Sequence, residues 1–64
     1  MTEYGKKIKI RLIEKDMTQV QLMKEITKRT GLYMDDSYMC KIKNGEKAPP
    51  KIIAAINEIL EITA

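Results

Sequence analysis

The chain contains no histidine, phenylalanine or tryptophan, and Cys40 is its one cysteine. No disulfide framework can form within it, and no four-ligand zinc cluster of Cys and His. Stacking on single-stranded nucleic acid would rest on Tyr4, Tyr33 and Tyr38 alone, a thin platform for that role. No apolar run approaches the roughly 20 residues of a membrane span, and no signal-peptide pattern opens the chain. A lone thiol fits a reducing cytoplasm, which is the expected location. Nothing in the sequence points to activation of Cys40, so it is expected to be a small, semi-buried residue. With no histidine, no evident base for the thiol and only the adjacent pair Asp35-Asp36, the chain offers no catalytic set. We therefore expect no enzyme activity, no cofactor, no metal and no small-molecule substrate.

What is present is basic charge and helical periodicity. The 64 residues suffice for one small domain, residues 1–64, in which most apolar side chains must serve the core. Net charge is +3 and the sequence pI is near 9.1, a hint of a polyanionic partner. The charge is uneven. Lys6, Lys7, Lys9 and Arg11 cluster early, and Lys41, Lys43, Lys47 and Lys51 cluster late, each group against one glutamate.

Four helical segments can be read. Tyr4, Ile8 and Leu12 recur every fourth residue over about residues 3–15, with Ile13 widening the stripe. Asp16 and Met17 break it. Thr18 with Gln21 three residues on forms a capping box, and Val20, Leu22, Met23 and Ile26 supply the next apolar set. Lys28 and Arg29 suit a helix C-terminus, and Gly31 suits the cap. Leu32 and Met34 are expected as buried plugs. One of Asp35 and Asp36 caps a third helix of about residues 36–43, with Met39 and Ile42 inward and Asn44-Gly45 as its stop. Pro49 or Pro50 opens the last helix, which carries Ile52, Ile53, Ile56, Ile59 and Leu60.

The third helix buries little, with two strongly apolar inward residues. A role in presenting polar side chains to a groove would explain it, since the major groove of B-DNA admits one helix and is read there by hydrogen bonding. The start of the second helix, at Thr18 and Gln19, suits a phosphate, because its free N–H groups point outward.

The stretches "MTQVQL" at 17–22 and "SYMCKIKNGEKAP" at 37–49 resemble the Cro and repressor-type helix-turn-helix proteins of phages and bacteria. The resemblance covers about residues 8–60. It implies an all-α, lambda-repressor-like domain of four or five helices and a sequence-specific regulator bound to double-stranded DNA. It places Asp36, Ser37, Tyr38 and Lys41 on base-facing positions of the recognition helix. Gln19 would hold a phosphate with Thr18 at the helix start, and Lys43, Asn44 and Lys47 would contact the backbone. Ile26, Met34, Met39 and Ile42 would be core, and Met23 stands where the family usually has a small residue.

Two features depart from that pattern. The family's turn is usually about three or four residues, whereas "TKRTGLYMD" is longer and implies either an extra turn of the second helix or a bulged loop. The acidic pair lies at the tip that would enter the groove. Asp35 is expected as the cap, with Asp36 at the surface as a reader of a cytosine amino group. Tyr38 has two readings, a DNA contact or a packing residue. Ile59, Leu60 and Ile62 either close the core or join a homodimer. A competing function on the same fold is a protein-interaction module, such as an anti-repressor that binds another regulator.

Overall fold

The computed structural model describes residues 2–62. The expected domain limits, residues 1 and 64, lie outside the described residues. Four helices form, α1 (Glu3–Glu14), α2 (Gln19–Thr30), α3 (Asp36–Lys43) and α4 (Pro50–Leu60), with no strand among the described residues.

Each helix starts and stops for a local reason. Thr2 caps α1, its hydroxyl accepting from the Gly5 amide at 3.1 Å. Lys15 caps the other end, and Asp16 turns the chain at φ 53°. The box at α2 forms in both directions: Thr18 Oγ1 accepts from the Gln21 amide, and Gln21 Oε1 accepts from the Thr18 amide. Gly31 closes α2 in the left-handed region, its amide donating to the Thr27 carbonyl at 2.8 Å. Asp35 is the cap of α3, accepting from the Tyr38 amide at 2.7 Å. At the far end Gly45 alone takes the left-handed conformation, at φ 80°, while Asn44 stays helical. Pro50 is the first residue of α4, where a missing N–H leaves nothing unpaired.

The core is a single cluster of Ile8, Leu12, Leu22, Ile26, Met34, Met39, Ile42, Ile52, Ala55, Ile56 and Leu60. α2 packs mainly on α4, and α1 packs on both α3 and α4. Ile8, Leu12, Leu22, Ile26, Met39, Ile42, Ile56 and Leu60, read above as apolar positions of the four helices, are all in this cluster. Three other apolar assignments are corrected. Val20 is 52% exposed, because it precedes Leu22 by two positions and so points to the other side of α2. Ile13 is 72% exposed, because no helix covers the flank of α1 beyond Leu12. Leu32 is 42% exposed, and of the two expected plugs only Met34, 6% exposed, is buried in the connection. Ile53, Ile59 and Met23 are half-buried at the margin of the core.

Candidate nucleic-acid interface

α3 is set in place by its inward side. Met39 is fully buried and Ile42 nearly so, which fixes the roll of the helix about its axis. The opposite side then carries Asp36, Ser37, Cys40, Lys41 and Asn44, all exposed. Asp36, Cys40 and Asn44 are spaced by four and stack along one ridge, with Ser37 and Lys41 beside it. Cys40 is therefore corrected from semi-buried to exposed. Its sulfur faces Asn44 Nδ2 at 3.5 Å. The spacing of four from Asp36 and to Asn44 was the available signal. Tyr38 is half-buried, packed against the core on one side and open to solvent on the other.

The start of α2 meets α3 through polar side chains. Lys43 Nζ donates to Gln19 Oε1 at 2.6 Å. Gln19 Nε2 in turn faces Asp36 Oδ1 at 3.5 Å, at the outer limit of a hydrogen bond. Asp36 and Lys43 are seven apart, two turns of one helix side, so both can reach the same amide. The charges set the amide's orientation: the ammonium draws its oxygen, and the carboxylate draws its nitrogen. Gln19 and Lys43 are thus joined, although 24 residues separate them. Asp36 is turned partly toward Gln19. Thr18 is exposed beside them, its hydroxyl oxygen used by the capping box.

A second anchor holds the end of α3. Thr2 Oγ1 donates to the Lys43 carbonyl at 2.6 Å, which ties the start of α1 to the last turn of α3. Thr2 had no part in the sequence reading; its place just before the acidic Glu3 is the mark of an N-cap. Beyond α3 the turn is closed by Glu46 and Lys47 amides directed at the Lys41 carbonyl, at 2.8 and 3.4 Å. Lys47 is exposed on this turn and has no ion-pair partner among the described residues.

The ion pairs lie elsewhere. Arg11 pairs with Glu14 and Glu61, Lys15 with Glu61, and Arg29 with Glu58. The Lys15 hydrogen bond and charge, with the Arg11 charge, hold the Glu61 carboxyl below its ordinary range. Lys41 and Lys47 are left without a carboxylate partner among the described residues, so their charge projects outward. Geometrically, the surface combines a helix ridge of short polar side chains, two outward lysines and the first amides of α2. Such a surface can donate hydrogen bonds to anionic oxygens and to base edges. No family model, curated protein or solved structure matches the chain.

Proposed function

We propose that the protein is a sequence-specific regulator that binds double-stranded DNA through a helix-turn-helix of the lambda-repressor-like kind, formed by α2 and α3. The observation that carries this reading is the outward ridge of α3. A helix of eight residues is rolled by Met39 and Ile42 so that Asp36, Ser37, Cys40, Lys41 and Asn44 all face solvent. Exposed polar side chains along one side of a helix are what direct readout in the major groove requires.

In this reading Ser37 and Lys41 contact base edges, and Lys41 donates to guanine O6 or N7. Asp36 sits at the tip, divided between Gln19 and a cytosine amino group. Thr18, the free amides at the start of α2, Asn44 and Lys47 meet phosphates and position the domain. Lys43 acts there through Gln19. The lengthened path between the helices is taken up mainly by α2, which runs twelve residues to Thr30 before the short connection. The domain measures 25 × 24 × 21 Å, while half-sites of a dimer's operator lie about 34 Å apart. One copy therefore covers one half-site, and a cytoplasmic homodimer on a palindrome is the working assembly. Regulation follows from occupancy of the operator, without catalysis.

Selection of bound sites from random duplexes with the purified protein tests the reading. The expected outcome is an enriched palindromic site, with affinity falling steeply as salt rises. An unenriched pool and no shift of any duplex at low salt would refute it and leave the interaction module as the better reading.

A further inference from the structure

The side of α1 that faces away from the core is unlike an ordinary solvated helix surface. Ile10 is 55% exposed and Ile13 is 72% exposed. They are three apart and so adjoin on one side of the helix. Lys6 and Lys9, each four residues before one of them, lie along the same strip, and Lys7 borders it on the other flank. None of these lysines has an ion-pair partner among the described residues. The strip continues into a groove of about 350 Å³, where Ile10 meets Ile62 and the rim is formed by Lys7, Arg11 and Glu61. The surface is thus an apolar strip and dip bordered by three lysines that are not ion-paired among the described residues, with Glu3 exposed at its edge and Glu14 and Glu61 engaged by Arg11 and Lys15.

Those charges choose the occupant. A second copy seated symmetrically on this face would set the three lysines against their own equivalents, which is unfavourable. DNA phosphates would satisfy the lysines and leave the isoleucines without a partner. A bilayer surface would take both, but interfacial helices present a wide apolar face, typically with Trp, Phe or Leu, and this one has two isoleucines. A helix with apolar residues on one side and carboxylates flanking them matches both parts of the pattern. We propose that the outer face of α1 is a docking surface for an acidic amphipathic helix of another protein. The surface stands apart from the α3 ridge and does not depend on the DNA reading.

The test uses the whole chain, labelled with nitrogen-15, and a synthetic peptide of about four helical turns with leucines on one side and glutamates flanking them. The amide shifts on titration should map to α1 and Ile62. Ile10→Gln with Ile13→Gln should weaken binding by about tenfold or more. Lys6→Gln with Lys9→Gln should weaken it and flatten its salt dependence. All four positions are exposed, so thermal melts of both variants should match the parent. If the isoleucine pair alone lowers the melt, the lysine pair carries the decision. A peptide with lysines in place of the glutamates should not bind. Shifts mapping to α2 or α3, equal binding by the lysine peptide, or unchanged affinity in both variants would overturn the proposal. So would concentration-dependent self-association lost in the isoleucine variant, or binding to phosphatidylserine vesicles with no binding to the peptide. Duplex binding by both α1 variants reads the DNA proposal separately, since its failure leaves the peptide result intact.

Discussion

Replacing Lys43 with Met keeps most of the half-buried stem and removes the ammonium that holds Gln19. The two side chains meet at 2.6 Å, short enough for a charge-assisted hydrogen bond. Hydrogen bonds to charged groups contribute about 1.5–3 kcal/mol when well formed. Lys43 is only half-buried, so solvent screening reduces this, and we expect a coupling of about 0.5–1.5 kcal/mol. The measurement is a double-mutant cycle of Lys43→Met, Gln19→Ala and the pair, by urea unfolding. Additivity within about 0.3 kcal/mol would show that the bond contributes nothing, and the brace between α2 and α3 would have to be withdrawn. The same variants separate two DNA roles. If Lys43 acts through Gln19, Lys43→Met has little further effect on duplex affinity once Gln19 is Ala. If Lys43 holds a phosphate by itself, it loses affinity equally in both backgrounds, and the salt slope falls by about one unit.

Leu22 is fully buried between α2 and the rest of the core. Leu22→Ala should cost roughly 2–5 kcal/mol, leaving so small a domain largely unfolded at body temperature; a parent-like thermal melt would refute the packing of α2. Lys41→Ala should relax preference at one base pair per half-site by about 1–3 kcal/mol with the melt unchanged; identical binding profiles across single-base variants of the selected site would remove Lys41 from the reading surface. The Tyr4 hydroxyl donates to Asn57 Oδ1 at 2.7 Å, and burial raises its pKa to about 12. The neutral form is favoured in the folded state, so this stability is complete below the unfolded value near 10 and is lost as pH rises through about 12. An absorbance titration should show a late ionisation step near pH 12 that Tyr4→Phe removes, and Tyr4→Phe should flatten the alkaline fall in stability; the absence of any such step would contradict the burial.

Much of the architecture was legible because it is governed by neighbours in sequence. A helix end is set by groups within about four residues, so Thr18 with Gln21, Asp35 and Gly31 could be assigned their places from residue type and spacing, and the last helix's start narrowed to Pro49 or Pro50. The stripe Tyr4, Ile8 and Leu12 follows from 3.6 residues per turn. The same period should have excluded Val20, two places from Leu22. The missing information at Ile13 was different. A stripe's period says which residues share a side, but its width depends on which helices lie against it, and no helix covers that flank of α1. Cys40 shows the same point on α3, where burial ends at Met39 and Ile42.

The site divides along the same line. That α3 would end at Asn44-Gly45 and expose Ser37 and Lys41 was contained in the sequence, because a short helix with two strongly apolar inward residues has only one way to roll. The bond from Lys43 to Gln19 crosses 24 residues, and that from Thr2 to the Lys43 carbonyl crosses 41. Neither has a local signature, since each depends on where whole helices come to rest. The sequence by itself determined the four helices, roughly where each ends and the centre of the core stripe, through short-range hydrogen bonding and periodic burial, while the margin of the core at Ile13, Leu32 and Cys40 was decided by packing. The tertiary structure decided that Lys43 is spent on Gln19, that Arg11 and Lys15 are neutralised by Glu61, and that Lys6, Lys7 and Lys9 are left beside two bare isoleucines. Charge acts through space, and only the packing of α1 on α3 and α4 fixes which charges become neighbours.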